Sequence, residues 1–120
     1  MTEPKTIALA YIETWNQTAS EKRSGLLDRH WTDDASYVDP LMAGKGKEQI
    51  GGLIAAVQER FPDFTFALRG VPDGHGEHVR LSWSFGPSGL DAPIEGTDFV
   101  QVVDGKIQRV IGFIDRAPAA

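Results

Sequence analysis

The sequence predicts an α+β fold in which three N-terminal helices and a curved antiparallel sheet enclose a pocket. Two observations predict it. Apolar residues recur every three or four positions up to about residue 61, then every second position from residue 63. Turn signals at residues 72–76, 86–89 and 104–105 also cut the second half into four strand-length runs. Helices gathered on one side of an antiparallel sheet make an α+β domain, and a strongly curved sheet with helices across its open face encloses a cavity. At 120 residues and 41% apolar content, the chain has the size and material for one domain spanning residues 1–120 around one core.

The elements follow in order. Pro4 suits the first turn of a helix, and Ile7, Ala8, Tyr11, Ile12 and Trp15 then form one apolar stripe. Asn16-Gln17-Thr18 loosens that pattern, and Ser20 can cap a second helix carrying Leu26, Leu27 and Trp31. Asp33-Asp34 ends it. A short strand is expected over residues 35–38, closed by Asp39-Pro40 and followed by a loop over 41–46. The third helix runs from about Lys47 to Arg60, with Ile50, Leu53, Ile54, Val57 and Phe61 on one face and Pro62 as its stop. Strands are then expected near 64–68, 78–85, 92–103 and 106–115. Asp104-Gly105 joins the last two as a two-residue hairpin turn. Ala117–Ala120 is expected to fray.

Composition excludes several functions. A net charge of −5 with no basic patch repels phosphate backbones and anionic lipids, so no nucleic-acid or membrane partner is expected. The absence of cysteine rules out disulfides, thiolate catalysis and cysteine-bound zinc. Met1–Ala8 lacks the pattern of a secretory leader, and no apolar run reaches the ~20 residues of a membrane span. A soluble cytoplasmic protein is the expectation. No metal-binding spacing is present, and no metal or other cofactor is expected. Gly86-Pro87-Ser88-Gly89 is one residue short of a nucleophile elbow, and Gly44-Lys45-Gly46-Lys47 lacks the length of a P-loop.

Three residues are candidates for chemistry. Alternation puts Asp98 on a strand face with Ile94, Gly96, Val100 and Val102. A carboxylate among apolar neighbours loses hydration, which raises its pKa and lets it hold a proton. The structural alternative is an acid at the open edge of the sheet, or one paired with Arg80 or Arg109. Asp39 is held extended by Pro40 on the side of Tyr37, as a positioned base would be, although Asp-Pro is also a turn dipeptide. Tyr11 carries a hydroxyl within the apolar stripe of the first helix, where a buried tyrosine needs a partner.

The runs Tyr11-Ile12-Glu13-Thr14-Trp15-Asn16 and Trp31-Thr32-Asp33-Asp34-Ala35-Ser36-Tyr37-Val38-Asp39-Pro40 resemble the N-terminal half of the nuclear transport factor 2-like superfamily, closest to its SnoaL-like and ketosteroid isomerase branches. Gly46–Ile50, Phe61-Pro62, Gly96–Phe99, Asp104–Ile107 and Gly112–Asp115 extend the resemblance through almost the whole chain. It implies a cone-shaped sheet and a homodimer formed through the convex outer sheet face. It also implies roles. Tyr11, five residues before Asn16, matches the catalytic tyrosine of ketosteroid isomerases, and Asp39 matches the general base. Asp98 matches the protonated acid that holds the oxyanion, with three residues between it and Pro93-Ile94 where the family has direct adjacency. Limonene epoxide hydrolase-like and scytalone dehydratase-like sites do not fit, for want of an arginine at Gly96 and of a suitable histidine pair.

Trp15, Leu53, Val57, Phe66, Trp83 and Phe113 are expected to line or close the cavity around a small apolar organic ligand. Two functions stay open: a cofactor-independent isomerase or cyclase that moves a proton next to a carbonyl, or a non-catalytic binding or assembly domain. The superfamily hosts both.

Overall fold

The computed structural model describes residues 3–87 and 92–118. Helix α1 spans Pro4–Asn16 with proline in its first turn, where the missing N–H costs nothing. Helix α2 spans Ser20–His30, with Ala19 rather than Ser20 in the capping position. Helix α3 spans Lys47–Arg60. Strands follow as β1 (Trp31–Val38), β2 (Ala43–Lys45), β3 (Phe64–Leu68), β4 (Asp73–His75), β5 (His78–Pro87), β6 (Ile94–Val103) and β7 (Lys106–Arg116).

The sheet runs in the order β2-β1-β7-β6-β5-β3, with β4 added beside β5. It is mixed rather than wholly antiparallel, because β1 pairs parallel to β7, with Tyr37 opposite Val110. Trp31 starts β1 instead of ending α2, and the pairing lapses between Trp31 and Ser36, where residues 32–34 are polar. Two three-residue strands, β2 and β4, stand where the sequence reads as loop and turn. The β6–β7 ladder shifts register at Glu95/Gly96 and again at Gln101/Val102. Such bulges bend a strand and sharpen its twist, which curls the sheet. Asp104 and Gly105 have φ of 50° and 79°, the double left-handed conformation of a type I′ hairpin turn. Pro87 ends β5, so Ser88 and Gly89 of the expected turn lie outside the described residues, as do Ala119 and Ala120 of the expected tail.

The helices cover the concave face. Helix α1 lies against β3 and β5, and α3 lies against β1 and β2. The Asn16 side chain fixes α1 on the sheet, donating to the Phe66 carbonyl and accepting from the Phe66 N–H, each at 2.8 Å. The buried Arg23 of α2 donates to the Gln17 carbonyl at 3.0 Å and to Gln58 at 2.9 Å, and Gln58 caps the Trp15 carbonyl at 3.0 Å. These bonds satisfy carbonyls that the end of α1 leaves without helical partners. The core packs Trp31, Ile50, Ile54, Leu81, Ile107 and Val110 between the layers, all with at most 1% exposure.

Candidate functional site

A cavity of about 160 Å³ opens between α1, α3 and the concave sheet face. Its wall is apolar and aromatic, and its ionisable side chains are Tyr11, Tyr37, Asp39 and Asp98. No lysine, arginine or histidine lines it among the described residues. The three candidates for chemistry therefore meet in one place, joined by Tyr37.

Helical spacing aims Tyr11 and Trp15 inward from α1, four residues apart on one face. Period-two alternation aims Asp98 inward from β6, where it is 2% exposed between Gly96 and Val100. The Tyr11 hydroxyl donates to Asp98 Oδ2 at 2.5 Å. Asp98 Oδ1 is buried and has no hydrogen-bond partner. Burial pushes the Asp98 pKa up to about 6. The Tyr11 hydroxyl and the nearby Trp83 side chain oppose that rise, while the negative charges of Asp39 and Asp115 add to it. Neither Arg80 nor Arg109 pairs with Asp98: Arg80 binds Asp73 at 2.9 Å on the outside of the sheet.

Asp39 has a different setting. It lies just past the end of β1, half-buried at the cavity rim. Its Oδ1 accepts the N–H groups of Leu41 at 2.7 Å and Met42 at 2.9 Å, and its Oδ2 accepts the Tyr37 hydroxyl at 2.6 Å. Three donors thus hold Asp39 in its own turn. Burial, then the charge of Asp98, raises both tyrosine pKa values far above the ordinary phenol range, so both hydroxyls stay protonated as donors.

The two acids meet over Gly112. This residue is opposite Asp98 in the β6–β7 ladder and faces inward. A Cβ at Gly112 would lie 2.9 Å from Asp98 Oδ1, 3.2 Å from Asp39 Cβ and 3.4 Å from the Tyr37 hydroxyl. The missing side chain is what gives the carboxylates room on the same floor.

Trp15, Val57, Phe66 and Trp83 line the cavity as expected. Leu53 does not: it packs beside the core with its side chain against Gly44. Phe113 is on the opposite face, 47% exposed and edge-on to Phe99, because the inward series on β7 is Val110, Gly112, Ile114. Tyr37, Phe61, Phe85 and Ile114 line the cavity without having been singled out as lining residues, although the alternation of β1 and β5 points Tyr37 and Phe85 inward. Among the described residues no three His, Asp or Glu side chains gather as metal ligands. No helix among them is long and apolar enough to cross a membrane.

The fold has close counterparts. A candidate isomerase of the SnoaL-like family from Agrobacterium tumefaciens is 40% identical, with 96% of this chain and 99% of that chain covered and a TM-score of 0.91. A candidate ketosteroid isomerase from Kribbella flavida shares the fold at 20% identity, with 98% and 81% covered and a TM-score of 0.71. A candidate SnoaL-like polyketide cyclase from Jannaschia sp. CCS1 does so at 13% identity, with 93% and 87% covered and a TM-score of 0.71. No curated protein matches the chain. The profile of the SnoaL-like domain matches residues 8–110, and with that match and the 40% identical structure the chain belongs to the SnoaL-like family.

Proposed function

We propose that this protein is a cofactor-independent isomerase or cyclase that moves a proton next to the carbonyl of a small apolar substrate. The convergence of Tyr11, Asp39 and Asp98 on one apolar cavity carries the reading. Proton transfer to or from carbon needs a carboxylate whose pKa lies near the working pH, and burial brings Asp98 to about 6. It also needs donors for the charge that develops on the carbonyl oxygen, and the Tyr11 hydroxyl, whose one proton rests on Asp98 Oδ2, supplies one when it turns to the substrate oxygen. The cavity volume suits a substrate of about one ring, since a dry cavity of about 150 Å³ accommodates benzene.

The test is exchange. Cyclohexanone or 2-cyclohexenone incubated with the protein in heavy water should lose its protons next to the carbonyl faster than in buffer, as followed by proton NMR. Exchange no faster than with a heat-denatured sample would remove the enzymatic reading. The non-catalytic binding domain is the second reading, and one observation favours it: the turn of Asp39 already occupies both its oxygens.

We also propose a homodimer through the outer sheet face. Phe99 and Phe113 lie edge to face there at 6.1 Å, with Ile111 and Val38 also exposed. Sedimentation showing only a 13.1 kDa species would refute it.

A further inference from the structure

We propose that the indole N–H of Trp15 is the donor that selects the ligand of this cavity, holding the oxygen of a neutral one-ring compound such as a cyclic ketone. The proposal rests on the reading above that the cavity is the working site, and it deepens that reading by naming the group that recognises the carbonyl.

Three observations carry it. The first is a census of donor protons. Four side chains of the cavity wall carry an N–H or O–H: Tyr11, Trp15, Tyr37 and Trp83. The Tyr11 proton is on Asp98 and the Tyr37 proton is on Asp39. Trp83 is among the groups that oppose the burial-driven rise of the Asp98 pKa, so it already supports the ionised acid. Trp15 Nε1 is buried and has no hydrogen-bond partner. Trp31, outside the cavity wall, shows the contrast, because its Nε1 donates to the Thr14 hydroxyl at 3.4 Å. A buried polar atom without a partner is costly, and a ligand oxygen that accepts from it recovers that cost on binding.

The second observation is how firmly the indole is held. Trp15 is 4% exposed, and its ring packs among Tyr11, Tyr37 and Phe66 at centroid distances of 6.4, 5.4 and 5.5 Å. Its backbone is anchored too, because Gln58 donates to the Trp15 carbonyl at 3.0 Å. A donor fixed before the ligand arrives loses little freedom on binding and needs no reorganisation afterwards. Tyr11, by contrast, must release Asp98 before it can donate elsewhere.

The third is electrostatic. Burial, then the charge of Asp98, raises the Tyr11 pKa, and the Trp15 side chain opposes that rise. The indole therefore favours negative charge at the end of the cavity where Tyr11 meets Asp98. The ligand class follows. An indole N–H donates and cannot accept, so it recognises an oxygen lone pair. No lysine, arginine or histidine lines the cavity among the described residues, and its two carboxyl groups disfavour anions, so that oxygen belongs to a neutral molecule. A carbonyl oxygen accepts from Trp15 in the resting substrate and accepts more strongly as negative charge gathers on it. A hydrocarbon of the same shape leaves the N–H unmet.

The test uses two probes of matched shape, cyclohexanone and methylenecyclohexane, titrated into the full chain with its tryptophans labelled with nitrogen-15. Cyclohexanone should move the Trp15 indole proton signal downfield, and methylenecyclohexane should not. The ratio of ketone to hydrocarbon affinity should fall about fivefold in Trp15→Phe, as expected for the loss of one neutral hydrogen bond. A Trp15 signal that moves equally with both probes overturns the proposal. So does a downfield shift confined to the Trp83 signal, an affinity ratio unchanged in Trp15→Phe, or no binding of either probe. The wild-type signal decides even if the variant fails to fold, because nuclear Overhauser contacts with Tyr37 and Phe66 identify it. A Trp15 shift without proton exchange on cyclohexanone counts against the isomerase reading and leaves the donor assignment standing. Exchange without a Trp15 shift overturns the donor assignment and leaves the isomerase reading standing.

Discussion

Asp39 and Asp98 share a floor over Gly112 and could hardly differ more in how they are held. Asp39 lies at the end of a strand, where the chain turns and exposes N–H groups that a short side chain can reach. It satisfies itself locally. Asp98 lies in mid-strand, where the ladder consumes the neighbouring backbone groups, and must look across the cavity to Tyr11 for its one hydrogen bond. The difference teaches that closeness to a cavity does not make an acid reactive. What matters is how many of its lone pairs the fold has already used, and how much water it lost on burial.

The largest expected break in this comparison is in proton exchange. Asp98→Asn should slow exchange on cyclohexanone by ~10²–10⁴-fold, the usual contribution of a positioned acid or base. Asp39→Asn should slow it by much less, and an equal loss in both variants would erase the distinction drawn here.

Stability should separate the acids next. The folded pKa of Asp98, about 6, lies above the unfolded value of ~3.9. The folded state then holds the proton more tightly, so this contribution to stability is complete below about pH 4 and is lost as pH rises to about 6. Above that, ionised Asp98 costs the fold about 2–3 kcal/mol, from roughly two pKa units. Asp98→Asn should therefore raise the melting temperature at pH 8 and change it little at pH 4. A stability loss at pH 8 would mean that the buried charge is better compensated than its single hydrogen bond indicates.

Filling the shared floor comes third. Gly112→Ala places a methyl group against Asp98 Oδ1 and should cost about 1–3 kcal/mol by overpacking, while slowing exchange on cyclohexanone. Unchanged denaturation and exchange would show that the carboxylate moves aside freely. The smallest effect should come from Tyr37→Phe, which removes one donor from Asp39 at a cost of about 1 kcal/mol. That variant sharpens the comparison, because it frees a lone pair on Asp39 and should leave exchange dependent on Asp98.

Much of this was legible in the residues, for identifiable reasons. Strict alternation from Ile94 to Val102 placed Asp98 inward, and the hydrophobic stripe of α1 placed Tyr11 and Trp15. Phe113 was not legible, because both faces of β7 carry apolar residues: Val110 and Ile114 inside, Ile111 and Phe113 outside. A pattern that is apolar on two faces does not say which is buried. Trp31 reads as a helix end because Thr32, Asp33 and Asp34 interrupt the alternation of β1 over a stretch where its pairing lapses. The three-residue strands β2 and β4 are too short and glycine-rich to signal themselves. The hydrogen bond between Tyr11 and Asp98 spans 87 positions, and no local pattern encodes it.

The parallel pairing of β1 with β7 has a consequence for how the protein comes into being. Residues 31–38 have no neighbour on that side until residues 107–111 have been made, so the first strand waits for the last. Distant pairing of this kind slows folding, because a long chain segment must be closed before any contact rewards it. Gly112 belongs to that same late strand, so the floor between the two acids cannot form earlier. During synthesis the helices can collapse early, but the cavity becomes competent only when the final strand slides between β1 and β6. A nascent chain held at residue 105 should exchange no protons on cyclohexanone, and release of about a dozen more residues should switch exchange on in a single step.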